Sequence, residues 1–88
     1  MPTIRKLNDN TFEVVVNEAV ETHHKVKLDD TYHQNLTDGN IGKEELIKAS
    51  FEFLLARESN SMIMREFDLP VIGTYFPSYE LEMKNRFR

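Results

Sequence analysis

The chain contains no cysteine among its 88 residues. That excludes disulfides, thiolate metal sites and cysteine nucleophiles, and with them the small secreted scaffolds that depend on cross-links. It has only three glycines, Gly39, Gly42 and Gly73. They are too scattered to build a phosphate-cradling loop. The apolar runs are a few residues long, far short of the roughly 20 needed to span a bilayer. The first residues, MPTIRKL, lack a hydrophobic signal region, so a cytoplasmic location with no membrane association is expected. A basic surplus is missing too: the formal net charge is −4. Nucleic-acid binders usually carry a basic patch, and here only Lys84–Arg88 is locally basic, so nucleic acid is not the expected partner.

What is present belongs to an ordinary folded protein. Hydrophobic residues make up 40% and charged residues 30%, a balance that disordered chains do not have. A chain of this size forms one domain, residues 1–88, with a modest core. Its first part reads as β. Residues 3–7 make a short strand, and Asn8, Asp9 and Asn10 punctuate it, because Asn and Asp hydrogen-bond their own backbone and tolerate left-handed conformations. Residues 11–17 alternate, with Phe12, Val14 and Val16 on one face. Residues 22–28 alternate again: His24, Val26 and Leu28 point one way, His23, Lys25 and Lys27 the other. Two or three antiparallel strands with one covered face follow.

Asp29 and Asp30 end the last strand and can cap a helical turn over 31–36. The break at Thr37–Asn40 then leads to the strongest segment, KEELIKASFEFLLARE at 43–58. Its apolar stripe covers about 200° of arc at 100° per residue, too wide for a helix with one neighbour, so cover on two sides is expected. Glu44 and Glu45 complement the positive end of its dipole, and Ile41 and Leu46 occupy the positions of a hydrophobic staple. Ser59, Asn60 and Ser61 stop it. Residues 62–67 read as one or two further helical turns. Pro70 suits the start of another helix, along which Val71, Ile72, Tyr75, Phe76 and Tyr79 recur at helical spacing. Gly73 weakens that helix by up to about 1 kcal/mol, and Pro77 breaks or kinks it. The fold expected is α+β: a two- or three-stranded antiparallel sheet packed on one main helix at 43–58, with a C-terminal short-helix segment covering the helix's other flank.

Few residues point to chemistry. His23 and His24 are neighbours on a strand and face opposite ways; with His33 ten residues on, they do not form a metal site. Glu44, Glu45, Glu52 and Glu58 lie on or beside the solvated side of the helix rather than converging as catalytic acids would. Ser50 has no adjacent base. No catalytic residue, cofactor or metal is expected. The segment VKLDDTYHQNL followed by GKEELIKASFEFLLARE resembles the ribbon-helix-helix plan of bacterial repressors and antitoxins. The resemblance implies a strand reading DNA through His23, Lys25 and Lys27, with Lys43 at a phosphate-binding helix N-terminus. Three departures weigh against it: the first helix is about a turn short, the strand at 11–17 occupies the pairing position of the dimer partner, and the net charge is acidic. The aromatic set Phe67, Tyr75, Phe76 and Tyr79 offers the other candidate surface, since Tyr and Phe are common in interface cores; at helical spacing the same residues also suit a core.

Two blocks, SFEFLLARE at 50–58 and FDLPVIGTYFPSYE at 67–80, resemble a family of small bacterial and archaeal proteins with a β-hairpin, a helix bearing SFEFLLxRE and a tail bearing FDLxVIxxYFPxYE. The likeness extends more loosely over 11–80. It implies a fold and carries no assigned activity. This chain has Gly42 where those proteins tend to place Ser or Thr, a cap weaker by a few tenths of a kcal/mol. The functional expectation is a non-catalytic binding or regulatory protein acting through contacts with an unknown protein partner or a second copy of itself, with a ribbon-helix-helix-like DNA-binding regulator as the alternative.

Overall fold

The computed structural model describes residues 2–88. Three strands come first: β1 (Pro2–Asn8), β2 (Thr11–Asn17) and β3 (Glu21–Lys27). They form an antiparallel meander in which Val14 lies between Ile4 and His24. The first turn closes as its residues suggest, with the Asn10 amide donating to Asn8 Oδ1 at 3.0 Å. The register shifts between Lys6 and Asn8, leaving Leu7 as a bulged residue at the sheet edge. Helices α1 (Asp30–Thr37) and α2 (Lys43–Leu55) follow. Asp29 caps α1 by accepting from the Tyr32 amide at 2.8 Å, and Asp38 and Gly39 leave it in the left-handed region, φ 55° and 75°.

The chain then departs from the sequence-based expectation. Of residues 62–67, read as helical turns, only Met62 is helical. A single 3-10 turn at Asn60–Met62 leads into an extended segment and a fourth strand, β4 (Glu66–Asp68), parallel to β3. The sheet is therefore mixed, in the order β1-β2-β3-β4. A short apolar run carries no period long enough to separate helix from strand, and here the open edge of β3 decides. The α1–α2 crossover supplies the long connection that parallel pairing requires. Two helices close the chain, α3 (Val71–Tyr75) and α4 (Tyr79–Phe87). The helical spacing from Val71 to Tyr79 is thus split between them: Phe76 sits outside helical geometry at φ −129°, ψ 89°, and a following proline disfavours the helical region at that position.

Helix α2 lies at the centre of the core. Phe51 meets the sheet, with ring centroids 5.4 Å from His24 and 6.1 Å from Phe67. Phe53 turns to the C-terminal segment and meets Phe76 and Tyr79 edge-on at 5.8 and 5.3 Å. This is the two-sided cover that the wide apolar stripe calls for. The helix ends at Leu55, three residues earlier than its pattern, in a tight turn where the Arg57 amide donates to Leu54 O. The Arg57 guanidinium donates to Phe53 O at 2.9 Å and lies 3.6 Å over the Phe53 ring, a cation at the negative helix end. Helix α4 is tied to α1 by the Tyr32 hydroxyl, which donates to Glu80 Oε2 at 2.7 Å. Among the described residues, no helix is long and apolar enough to cross a membrane.

Candidate functional site

An apolar cleft of about 410 Å³ lies where the end of α2, the run into β4 and helix α3 meet. Its floor is Leu54, Ile63, Phe67 and Ile72, and its rim is Met62, Met64, Tyr75 and Phe76, with Glu58 the one charged residue. Met62 closes the 3-10 turn and the chain leaves it through Ile63, which is buried, while Met62 is 71% and Met64 41% exposed. On α3, Ile72 faces inward and Tyr75 is 66% exposed. Phe76 lies between these extremes, packed on Phe53 and open to the cleft.

The four aromatics singled out by spacing therefore separate. Tyr75 and Phe76 reach the surface at the cleft. Phe67 is 7% exposed and serves as floor. Tyr79 is fully buried and is core: its hydroxyl donates to Ser50 Oγ at 2.6 Å, and Ser50 Oγ donates to Leu46 O at 2.7 Å. Ser50 is thus the small residue that gives Tyr79 a partner inside α2, and burial pushes the Tyr79 phenol pKa up. Sequence reasoning missed Met62 and Met64, which it placed on a helix. So short an apolar segment carries no period that would mark them.

The residues of the DNA-reading alternative are differently placed. His23, Lys25 and Lys27 do project from the uncovered face of the sheet. They are not a basic stripe, however. His23 sits 2.9 Å from Glu21 and 3.5 Å from Glu13, Arg5 is 3.0 Å from Glu13, and Lys25 and Lys27 lie in register with Glu66 and Asp68. Strand β3 is paired along its length by β2 and over Lys25–Lys27 by β4, so the stretch holding Lys25 and Lys27 already has strand neighbours on both sides within the chain. Lys43 is engaged as well. Its ammonium donates to Asp9 O at 2.9 Å and Asn10 Oδ1 at 2.8 Å and lies 2.6 Å from Asp30, fastening the β1–β2 turn to the start of α2. Among the described residues, no three His, Cys, Asp or Glu side chains gather as a metal site.

A buried polar chain holds the methionine wall of the cleft in place. Asn60 Nδ2 donates to Val20 O at 2.8 Å and to Thr22 Oγ1 at 2.9 Å. Thr22 Oγ1 lies 2.9 Å from His24 Nε2, and His24 Nδ1 lies 2.7 Å from Met64 O. A carbonyl only accepts, so Nδ1 carries the proton. Nε2 then accepts from the Thr22 hydroxyl, and every member is satisfied with His24 neutral. Protonating Nε2 would leave the Thr22 hydroxyl without its acceptor.

Burial lowers the His24 pKa below its ordinary 6.5, and the nearby charges of Arg65 and His23 act the same way, against the opposing Met64 carbonyl. The unfolded chain therefore binds the proton more readily. The stabilisation is complete above about pH 6.5 and is lost as pH falls below it. Exposed His23 has the opposite sign: the hydrogen bond to Glu21 raises its pKa, and its small, screened contribution is present at low pH and fades as pH rises. Urea unfolding midpoints are thus expected to fall from about pH 7.5 to about pH 5, and His24→Gln should remove most of that fall. Equal slopes in both proteins would refute the wiring.

A comparison with protein-family models, curated proteins and solved structures finds no match to this chain.

Proposed function

We propose that the protein is a non-catalytic cytoplasmic binding or regulatory protein, and that the cleft takes apolar side chains of a partner protein. The observation that carries this reading is the rim: Met62, Met64 and Tyr75 hold large apolar surface in solvent around an apolar floor. Methionine adapts its shape to varied partners, tyrosine supplies rigid contact area at interface cores, and an apolar patch kept in water marks an interaction site more often than a packing error. A catalytic reading has less support, because the lining offers Glu58 and the Tyr75 hydroxyl as its polar side chains rather than a convergent set.

The test is selection of a random peptide library on the immobilised protein, repeated with Tyr75→Ala and Met62→Ser. Peptides with one or two large apolar side chains should be enriched, and each substitution should weaken them about tenfold. Both residues are mostly exposed, so melting temperatures should stay within a few degrees of the parent. Selected peptides that bind both variants as tightly as the parent, or a selection without apolar enrichment, would overturn the reading.

A further inference from the structure

We infer that β4 receives a fifth strand: an extended segment of a partner protein, with the pattern basic–apolar–basic, pairs along Glu66–Phe67–Asp68 and lodges its apolar side chain in the cleft. The inference rests on the cleft being the binding site and adds the mode of binding and the chemistry of the partner.

Strand order leaves β4 outermost. Arg65 O accepts from the Lys25 amide at 2.7 Å, and the Leu69 amide donates to Lys27 O at 2.9 Å. Residues 65, 67 and 69 therefore turn their backbone groups toward β3, and the two-residue period directs those of Glu66 and Asp68 away from the sheet. Among the described residues, no backbone hydrogen bond outside the sheet engages Glu66 or Asp68. The opposite edge is protected. Strand β1 begins with Pro2, carries Arg5 and Lys6, and is bulged at Leu7, all devices that discourage pairing. Strand β4 is short and carries the exposed charges Glu66 and Asp68, which deter like-charged edges and leave room for one peptide segment of opposite charge.

Charge selects the occupant. The Glu66 and Asp68 side chains are exposed while Phe67 is buried and lines the cleft. Neither carboxylate belongs to an ion pair among the described residues. On its paired side β4 already meets its complement: Lys25 opposite Glu66, Val26 opposite Phe67, Lys27 opposite Asp68. A segment repeating that alternation on the free side would place cations beside both carboxylates, favourable for cross-strand neighbours, and an apolar side chain beside Phe67. Backbone bonds would supply affinity and the alternating side chains selectivity, as in other strand-addition complexes. A second copy of the chain fits poorly: two-fold antiparallel pairing about Phe67 would set Glu66 against Asp68 of the copy, like charges face to face.

The probes are blocked synthetic peptides Thr-Thr-Lys-Leu-Lys-Thr-Thr and Thr-Thr-Glu-Leu-Glu-Thr-Thr, titrated into isotope-labelled protein and followed by amide shifts and hydrogen exchange. The lysine peptide should protect the Glu66 and Asp68 amides and bind about tenfold more tightly than the glutamate peptide. Glu66→Lys with Asp68→Lys, both at exposed positions, should reverse that preference. Equal binding of the two peptides, no protection at Glu66 and Asp68, or protection that arises from self-association instead would overturn strand addition. Library-selected apolar peptides that shift the Met64 and Tyr75 side chains without protecting those amides would overturn it while leaving the cleft as the binding site. Failure of every peptide to bind would defeat both readings.

Discussion

Phe51→Ala is expected to lower the unfolding free energy by about 3–5 kcal/mol, a large share of the roughly 5–15 kcal/mol that holds a small domain folded. Phe51 is fully buried at the point where α2 meets the sheet. Its ring packs on both His24 and Phe67, one in the meander and one in β4, so truncation opens a cavity where α2 meets both. Urea denaturation monitored by far-UV circular dichroism would measure the loss. A cost below about 1 kcal/mol would mean that the site collapses freely or that Phe51 is not central. Tyr75→Ala offers the contrast within the same chain: an aromatic of similar size, mostly in solvent, whose removal should scarcely move the midpoint.

Asn60→Ala should cost about 2–3 kcal/mol, more than its size implies, because a buried acceptor left unpaired costs more than a bond gained. Its amide is the donor to Val20 O and Thr22 Oγ1, and it also reaches Val16 O at 3.5 Å. Removing it deprives these acceptors at once in a site that is 3% exposed at Asn60. Thr22→Val should be destabilising for the related reason that His24 Nε2 loses its donor. The two effects should not add: once Asn60 is gone, Thr22 has already lost its place in the chain of donors. A double-mutant cycle measures the coupling, and strictly additive losses would show that the residues act separately. Because the chain ends on Met64 O, Asn60→Ala should also loosen the methionine wall, visible as faster hydrogen exchange over residues 62–65.

Legibility followed the range over which each feature is decided. The alternation of β2 and β3, the cap at Asp29 and the two-sided burial of α2 were all readable. Each depends on a period within one element, and the structure reproduces them, including His23 outward and His24 inward. The end of α2 was not: its apolar pattern runs on, and the stop comes from a capping arrangement that uses the Arg57 side chain. Residues 62–67 carried too few positions for a period, and their strand exists because β3 had an edge to fill. Asn60, read as a helix stop, gave no sign of its amide reaching Thr22, 38 residues earlier. The aromatic run was legible as a helical set. Which members surfaced was not, because Pro77 breaks the helix and turns Tyr79 inward while leaving Tyr75 in solvent.

The sequence by itself determined an α+β chain with a β meander, a central helix covered on two faces and a C-terminal segment supplying one of those covers. Local periodicity, turn residues and caps suffice for that, since they act between neighbours. Only the tertiary structure decided the parallel fourth strand, the neutral histidine wired across 40 residues to Met64, and the cleft between α2, β4 and α3. Those depend on which distant surfaces meet, and a short apolar segment takes its conformation from the edge it finds rather than from its own pattern.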